Sequence, residues 1–477
     1  MNYETVIGLE VHVELDTKTK IFCGCENQFG GEPNTHCCPI CTGMPGTLPR
    51  LNKKVVEFAI STGLAANCKI TQECKFDRKN YFYPDLPKAY QISQLYLPIC
   101  RDGYLEIEAN GEKKKIGIHE IHMEEDAGKL VHDPWDDCTL VDYNRCGVPL
   151  LEIVSEPDMR SAEEVLAYLE KLKAILQYVG VSDCKMQEGS MRADINLSVR
   201  PFGQKEFGTR TEMKNMNSFK AIARAIEGER KRQIEVIEEG GKVIQQTRRW
   251  DDNKDTSFAM RSKEDAQDYR YFPEPDLAPI SISDEWIENL RKSLPELPDQ
   301  KKQRYISEYG LSEYDTGIIT SSKYLVNIFE KTVQICGNVK ETANMIMGDV
   351  MRMLKETGKL PEDLTLNPEN LAKLIMLIDG GKINRTVARE IFDKMFLEDF
   401  DPEKYVKENG LEIVRDDKLV SETVNRIVQN NPQAIEDYKA GKDKAFKFLV
   451  GQSMKELKGK ADPKLINEIL KNILENI

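Results

Sequence analysis

The sequence predicts an α+β fold, in which a large and mostly antiparallel sheet domain is followed by helical domains. Before about residue 295, apolar and polar residues alternate in several runs rich in β-branched side chains, which is typical of half-buried strands. Beyond residue 295 such runs nearly vanish. An Asx residue followed by proline recurs there instead, and this pair is typical of the first turn of a helix.

The strand patterns and two helices fill the N-terminal part of the chain. The clearest strand patterns are ETVIGLEVHVEL, GYLEIEA, KKIGIHEIHM, SMRADINLSVR and KVIQQTRRW. One predicted helix runs from Ser161 to Val179, because Ser161 and Glu164 form a capping-box pattern and Gly180 follows the last apolar position. A second predicted helix runs over residues 218–239 and stops before two glycines.

The C-terminal part reads as an array of helices. The Asx-Pro starts are Asn367-Pro368, Asp401-Pro402, Asn431-Pro432 and Asp462-Pro463, and the closing glycines are Gly380, Gly410 and Gly441. At roughly 150 residues per domain, a chain of 477 residues suggests about three domains. We therefore expect a sheet domain over residues 1–294, a helical domain over residues 295–405 and a helical tail over residues 406–477.

Composition and charge narrow the classes of protein. Hydrophobic residues make up 40% and charged residues 31% of the chain, which is ordinary for a globular protein and too apolar for a disordered one. No apolar run approaches the roughly 18 residues of a membrane span, and the N-terminus lacks a signal-peptide pattern, so we expect a cytoplasmic protein without membrane contact. The net charge of −13 argues against a surface that binds nucleic acid everywhere, although it leaves room for a local basic patch.

Four cysteines predict a zinc site. Cys23 and Cys25 form one close pair, and Cys38 and Cys41 form a second pair about a dozen residues later. Two such pairs in turn-rich segments can surround one Zn²⁺ tetrahedrally, and four thiolates leave no open position for catalysis. Reduced loop cysteines or a redox pair are the alternatives. Cys37 breaks the spacing and is expected to take no part.

Polar residues on strand faces predict a second, different metal site. In the first strand Glu10, His12 and Glu14 share one face, because side chains alternate between faces. Other strands carry His119, His122, Glu124, Glu125 and Asp126; Arg192, Asp194, Asn196, Ser198 and Arg200; and Glu212 with Lys214. Carboxylates with an imidazole suit Mg²⁺ or Mn²⁺, which often serve phosphates. Solvated strand faces are the alternative reading.

The same chemistry suggests nucleotide-dependent phosphoryl transfer on a sheet. Neither a G-x-x-x-x-G-K-[ST] nor a G-x-G-x-x-G motif is present, so the common phosphate-binding loops are excluded. Two segments, FDRKNYFYPD and DYRYFPEPD, interleave aromatic and basic residues in a way that can stack bases and pair with phosphates. An amphipathic loop packed on the sheet would give the same pattern.

Several long motifs together resemble one family over essentially all of the chain. They are YETVIGLEVHVEL, the CxC…CPxC cluster, FDRKNYFYPDLPKAYQISQ, IHMEEDAGK, VDYNRCGVPLLEIVSEPD, DYRYFPEPDL and FLVGQSMKELKGKADP. With these motifs the chain resembles the B subunits of bacterial heterotrimeric aspartyl/glutamyl-tRNA amidotransferases. The related archaeal two-subunit enzyme carries a large inserted domain, and this chain is too short to contain it.

The resemblance implies a carbon–nitrogen ligase. The sheet domain would be a glutamine-synthetase-like cradle that binds ATP and Mg²⁺ and takes misacylated Glu-tRNA(Gln) or Asp-tRNA(Asn). The side-chain carboxylate would be phosphorylated, and ammonia would then displace the phosphate. A glutaminase A subunit would supply the ammonia, and a small C subunit would complete the heterotrimer. The zinc ion would serve the scaffold rather than the chemistry.

The resemblance also carries expectations for single residues. Glu10, His12, Glu125 and Glu212 would be catalytic and would bind Mg²⁺, together with Glu124. The residues expected to bind ATP or substrate are Lys79, Tyr81, Tyr83, Arg192, Asp194, Asn196, Arg200 and Lys214. In the tail, Lys455, Lys458 and Lys460 would contact tRNA phosphates, for which a solvated helical face is the alternative.

Two other functions remain as alternatives. One is a non-catalytic zinc scaffold that binds tRNA, although such a protein would have no use for a cavity lined with carboxylates. The other is a glutamine-synthetase-like ligase for a free amino acid, which would have no use for a helical tail.

Overall fold

The computed structural model describes residues 2–133, 136–262, 269–413, 417–439, 442–457 and 463–475. Contacts between residues divide the chain into two compact units, Met1–Gln300 and Lys301–Ile477. Within the described residues the last strand is Ile280–Ser281, and every later element is helical. A mixed α and β region with a large, mostly antiparallel sheet, followed by a helical region, is therefore confirmed.

The first unit contains all sixteen strands of the described residues and four helices. The strands are β1 (Tyr3–Glu14), β2 (Lys69–Ile70), β3 (Glu73–Cys74), β4 (Asp77–Asn80), β5 (Tyr90–Ser93), β6 (Cys100–Ala109), β7 (Glu112–Glu125), β8 (Lys129–His132), β9 (Thr139–Asp142), β10 (Pro149–Ser155), β11 (Met191–Pro201), β12 (Thr211–Lys214), β13 (Gln246–Asp251), β14 (Thr256–Ser262), β15 (Phe272–Pro273) and β16 (Ile280–Ser281). The helices are α1 (Lys53–Ala65), α2 (Ala162–Val179), α3 (Phe219–Glu238) and α4 (Asp284–Ser293).

Nine of these strands form the main sheet, with β1 in its centre. The strand order is β14-β13-β12-β11-β1-β10-β7-β6-β2, and every neighbouring pair is antiparallel except β12 with β13. Smaller sheets are β15-β4-β5, β16-β3 and β8-β9.

The core lies on one face of the main sheet. Ile7, Leu9, Val11 and Val13 of β1 are almost completely buried and belong to a large apolar cluster with residues of α1, α2 and α3. Because successive side chains of a strand point to opposite faces, burying these odd-numbered residues directs Glu10, His12 and Glu14 to the other face. The helices thus cover one face and leave the polar face for a site.

The two long helices of this unit begin and end at the residues that the sequence indicates. Ser161 and Ser218 are N-caps whose hydroxyl groups accept hydrogen bonds from Glu164 N (3.3 Å) and Ala221 N (3.1 Å). Gly180 ends α2 in the left-handed region at φ 77°. The Glu164 carboxylate accepts from Arg160 N at 2.7 Å.

The second unit is helical, and its first helix begins three residues before the unit does. The helices are α5 (Pro298–Tyr309), α6 (Glu313–Thr320), α7 (Lys323–Cys336), α8 (Val339–Met345), α9 (Met351–Thr357), α10 (Pro368–Asp379), α11 (Arg385–Leu397), α12 (Pro402–Glu408), α13 (Asp417–Asn430), α14 (Pro432–Lys439), α15 (Asp443–Glu456) and α16 (Pro463–Glu475). A π-helical turn, Ile346–Val350, joins α8 to α9.

Helices α13 to α16 share a small apolar core of their own. Its buried residues are Val420, Val424, Val428, Leu449, Ile466, Leu470 and Leu474. Asn367 and Asp401 cap α10 and α12 as their Asx-Pro patterns predict. No helix in the described part of the chain is both long and apolar enough to cross a membrane.

Candidate active site

The register of the central strands brings polar side chains from different parts of the sequence into rows. His12 of β1 lies opposite Arg192 of β11 on one side and Glu152 of β10 on the other. Glu10 lies opposite Asp194 in the same way. Residues that pair directly across strands share a face and lie close together. The polar face is therefore lined by groups separated by more than a hundred residues in sequence.

One group of possible metal ligands, called here the His12 cluster, consists of His12, Glu124 and Glu152. One ligand atom from each of them lies within 4.8 Å of the others. His12 Nε2 is 3.5 Å from Glu124 Oε1 and 3.4 Å from Glu152 Oε2. His122 Nε2 lies 3.1 Å from the same Glu152 oxygen and so supports the cluster from β7.

Histidine imidazoles, together with Lys79, offset the carboxylate charge of the His12 cluster. Burial disfavours the protonated form of His12, but Glu152 and Glu124 overcome this effect and raise its pKa. The pKa of His122 likewise rises to about 10, because hydrogen bonds to Glu120 and Glu152 outweigh burial. Burial also disfavours ionised Glu152, yet its two histidine partners hold its pKa well below the ordinary value. The cluster therefore attracts positive charge, as a cation site should.

Glu152 is the member of this cluster that sequence reasoning missed. It lies within the motif VDYNRCGVPLLEIVSEPD, but no strand face was assigned to it. A signal was nevertheless present, because Glu152 is the one charged residue in the apolar run PLLEIVS. A charged side chain inside a buried strand is rarely placed there without a partner.

A second group, the Glu10 cluster, consists of Glu10, Asp194 and Glu212. Their oxygens lie within 4.8 Å of one another. Lys214 Nζ donates to Asp194 at 2.6 Å and lies 2.8 Å from a Glu212 oxygen. Asn196 donates to Glu10 at 3.0 Å. The two clusters occupy neighbouring positions on β1.

The carboxylates of the Glu10 cluster differ in how well they are neutralised. Burial, followed by repulsion from Glu152 and Glu212, raises the pKa of Glu10 above its ordinary value. Burial also disfavours ionised Glu212, but Lys214 and a hydrogen bond from Thr247 lower its pKa. Glu10 therefore lacks full compensation from this chain, and a bound divalent cation would supply it.

Cations line a cavity beside the two clusters. The cavity measures about 550 Å³ and is lined by His12, Arg192, Asp194, Lys214, Asn215, Arg249 and Met260. Three of these residues, Arg192, Lys214 and Arg249, carry the positive charge that phosphate oxygens require. Arg192 is also held by Asp126, whose oxygen accepts from its Nη2 at 2.9 Å.

Two residues expected at the site lie elsewhere. Glu125 follows Glu124 in β7, so its side chain points to the opposite face, where it pairs with Lys88 and accepts from Ile92 N at 3.0 Å. Arg200 lies six residues beyond Asp194 along β11 and donates to Glu4 at 2.7 Å. The structure does not bring either side chain to the clusters, and their predicted roles stay predictions.

The two aromatic and basic segments are paired with each other. Strand β4 pairs with β15, and Asn80 Nδ2 donates to Arg270 O at 2.8 Å. Asp268, at the start of the second segment, lies outside the described residues. This pairing brings together two motifs that are about 190 residues apart in the sequence.

An aromatic ladder results from this pairing. Lys79 Nζ lies 4.9 Å from the ring centre of Tyr269, and edge-to-face contacts join Tyr81 to Tyr269 and Tyr269 to Tyr271. Burial, followed by the charge of Glu124, raises the pKa of Tyr81. Tyr83 is 45% exposed and lies outside the ladder.

The four predicted zinc ligands come together. Sulphur atoms of Cys23, Cys25, Cys38 and Cys41 all lie within 4.8 Å of one another. A hydrogen bond shared with Cys23 lowers the pKa of Cys41 to about 5, and the Cys38 N–H and Lys20 contribute to this shift. The hydrogen bond with Cys41 and burial raise the pKa of Cys23, and burial and the neighbouring thiols raise the pKa of Cys25, so Cys41 is the thiol that ionises first. Four sulphurs at this spacing fit a tetrahedral zinc ion, whose charge would stabilise the other thiolates.

Of the three lysines predicted to bind tRNA, the structure describes Lys455, which lies in α15. Lys455 is exposed in the last turn of this helix, and Lys444 and Lys447 are exposed on the same helix. Lys458 and Lys460 lie outside the described residues.

The chain matches known proteins over nearly its whole length. Residues 5–288 match the family described as the GatB/GatE catalytic domain, and residues 327–474 match the one described as the GatB domain. A relative from Lachnoclostridium phytofermentans, named as the B subunit of an aspartyl/glutamyl-tRNA(Asn/Gln) amidotransferase, is 71% identical over 472 residues, covering 99% of each chain. Relatives with the same name from Caldicellulosiruptor bescii and Carboxydothermus hydrogenoformans are 63% and 54% identical, over at least 99% of each chain.

Proposed function

The chain belongs to the GatB/GatE family of tRNA-dependent amidotransferase B subunits, and we propose that it carries out the ATP-dependent amidation of a misacylated tRNA. Its substrates are Glu-tRNA(Gln), Asp-tRNA(Asn) or both, and its products are Gln-tRNA(Gln) and Asn-tRNA(Asn). The observation that carries the proposal is the pair of ligand clusters on β1, beside a cavity lined by Arg192, Lys214 and Arg249.

The reaction needs an activated carboxylate. The γ-phosphoryl group of ATP passes to a side-chain oxygen of the aminoacyl group, which gives an acyl phosphate and ADP. Ammonia then attacks the carbonyl carbon, the amide bond forms, and phosphate and a proton leave. Arg192, Lys214 and Arg249 bind the phosphoryl oxygens, where negative charge develops in the transition state.

The donor sets fit the metals that the family implies. The His12 and Glu10 clusters offer hard oxygens and one imidazole, which suits Mg²⁺ or Mn²⁺, and the raised pKa of Glu10 follows from crowded carboxylates and burial. When bound, Mg²⁺ neutralises phosphate charge and orients the transferred group. His122 and Asn196 orient the ligands by their contacts with Glu152 and Glu10. The zinc ion stabilises the cysteine loops and takes no part in the chemistry.

Other subunits complete the enzyme. A glutaminase A subunit supplies ammonia, and a small C subunit joins the heterotrimer, in accordance with the resemblance of the whole chain. We place the complex in the cytoplasm, with the N-terminal unit as a glutamine-synthetase-like cradle. Lys79 and Tyr81, in the aromatic ladder, contact ATP or the aminoacyl end of the tRNA.

The test uses the reconstituted complex with each misacylated tRNA. With ammonium chloride as nitrogen donor, which bypasses glutamine hydrolysis, amide and ADP should form in equal amounts. Glu152→Gln should lower this rate at least about 100-fold, because it removes the carboxylate that both histidines contact. The matched control is Glu108→Gln, an exposed position on β6 that should leave the rate unchanged. Normal amidation by the Glu152→Gln complex would rule out the proposed site.

A further inference from the structure

Lys20 is a buried lysine that lies against the cysteine cluster. It is 0% exposed, although lysine is among the residues least often buried. Its Nζ donates to the backbone oxygen of His36 at 2.7 Å and lies 3.8 Å from the sulphur of Cys41. Neither the amidation chemistry nor the cysteine spacing explains why a positive charge is enclosed here.

The ammonium group has no carboxylate partner in the described part of the chain. Among those residues, the hydrogen-bond partners of Lys20 Nζ are the His36 backbone oxygen and the Cys41 sulphur, and neither is an Asp or Glu oxygen. A buried charge without an opposite charge is strongly destabilising. The charge that is available belongs to the thiolates, since four thiolates and one Zn²⁺ leave two net negative charges.

The backbone encloses Lys20 together with the cluster. Lys20 N donates to Cys25 O at 3.0 Å, which ties the residue to the first cysteine pair, while its side chain reaches the segment of the second pair. Gly147, with φ 79°, covers both groups. A Cβ atom at this glycine would lie 3.4 Å from Cys41 Cβ and 3.7 Å from Lys20 Cδ. Water is thereby kept from the ammonium, which strengthens its attraction to the thiolates.

We propose that Lys20 is the internal counter-ion of the zinc–thiolate cluster. Its ammonium offsets part of the negative charge and so raises the affinity for zinc, and the bound zinc in turn holds Lys20 inside the protein. Lys20 is a positioning residue rather than a ligand, because a protonated amine has no lone pair for the metal. This inference does not depend on the proposed amidation function, and its tests measure zinc rather than activity.

The first experiment compares zinc affinity in the full chain. Lys20→Met keeps an unbranched side chain one atom shorter and removes its charge, and Lys18→Met makes the same change at an exposed position two residues away. Zinc is titrated in competition with a chromogenic chelator. We expect Lys20→Met to bind zinc about 10- to 100-fold more weakly, as for other residues that support metal ligands, and Lys18→Met to bind as the unaltered chain does. Equal affinities in all three proteins would overturn the proposal.

A second experiment uses the unaltered chain and does not require the variant to fold. Lysines are acetylated with acetic anhydride before and after zinc is removed with EDTA, and the sites are quantified by mass spectrometry. Lys20 should be protected in the zinc-loaded protein and should react at least about tenfold faster without zinc. Lys18 should react equally in both states. A Lys20 that remains as protected without zinc as with it would overturn the proposal.

Discussion

Neighbouring glutamates at the end of β7 face opposite sides of the sheet. Glu124 lies in the His12 cluster, whereas Glu125 pairs with Lys88 on the other side. A one-residue difference thus separates a proposed metal ligand from a buried ion pair. The sequence motif IHMEEDAGK offers both carboxylates, and the resemblance favoured Glu125 as the catalytic one.

Metal binding distinguishes the two glutamates. Glu124→Gln should weaken Mn²⁺ binding at least about tenfold, because a neutral amide replaces a negatively charged carboxylate. Glu125→Gln should leave Mn²⁺ affinity within about twofold, since its side chain lies on the other face. Electron paramagnetic resonance of free Mn²⁺ during a titration measures both. Loss of binding in Glu125→Gln together with normal binding in Glu124→Gln would reverse the assignment.

The cysteine cluster allows a similar comparison of adjacent residues. Elemental analysis of the purified chain should give about one zinc per chain. Cys38→Ser should lose most of this zinc, because serine is a poor ligand for the position. Cys37→Ser should retain it, since Cys37 Sγ contacts Asn34 O at 3.3 Å and belongs to no ligand group. A folded unaltered chain without zinc would remove the site from consideration.

At the scale of elements, a buried network of hydrogen bonds and ion pairs around Glu229 connects helix α3 to the sheet. Its carboxylate accepts from Thr211 Oγ1 of β12 at 2.8 Å and from Arg232 at 2.6 Å, and it lies 3.4 Å from Arg248 of β13. Gln233 extends the network to Val199 of β11. The helix thus supports strands β11 and β12 from the buried face of the sheet, and the opposite, polar face of these strands carries Asp194, Glu212 and Lys214.

Removing the charge of Glu229 should destabilise the first unit. Burial disfavours the ionised form, but Arg232, Gln233 and Thr211 hold the pKa of Glu229 below its ordinary value of 4.5. A lowered pKa in the folded state means that the carboxylate stabilises the fold above pH 4.5 and loses this contribution as the pH falls through the folded value. Glu229→Gln should therefore lower the free energy of unfolding by about 2 kcal/mol at pH 7 and by less near pH 4.

Urea unfolding followed by tryptophan fluorescence measures this effect, since all three tryptophans of the sequence fall within residues 1–300. Glu227→Gln is the matched control, because Glu227 lies on the same helix and is more than half exposed. A difference between the two variants that stayed constant from pH 7 to pH 4 would contradict the account of Glu229.

Helices and strands could be predicted from the sequence where neighbouring residues alone determine them. Alternation in β1 and the serine caps with Gly180 around α2 depend on neighbouring residues alone. The parallel pairing of β12 with β13 and the meeting of β4 with β15 depend on contacts between distant segments, which a single sequence does not encode locally. The four cysteines lie close together in the sequence, so their spacing alone predicts the complete group. Glu152 lies far from His12 in the sequence, and only the register of β1 with β10 brings the two side chains together.

Charge is distributed unevenly over the whole molecule. The chain carries −13 in total, yet residues 439–477 hold nine lysines against five acidic residues. Described lysines of α15 are exposed at Lys444, Lys447 and Lys455, and helices α13 to α16 have their own apolar core. A basic surface on such a separable segment is suited to phosphate contacts that position a nucleic acid without reading its sequence.

Removing the tail should therefore weaken tRNA binding without harming the metal clusters. The truncation should end after Ile413, because Ile413 N donates to Lys382 O at 2.7 Å and so fixes the segment that follows α12. We expect the truncated complex to show a raised KM for charged tRNA, unchanged Mn²⁺ binding and a shallower fall of affinity with salt, since fewer counter-ions are released.

A full-length variant with Lys444, Lys447 and Lys455 changed to glutamine tests the charge of the tail without removing its helices. It should lose part of the salt dependence while α13 to α16 remain folded. Filter binding of misacylated tRNA between about 50 and 200 mM salt gives both affinity and slope. Equal affinity and an equal salt slope in all three proteins would show that the tail has a structural role alone.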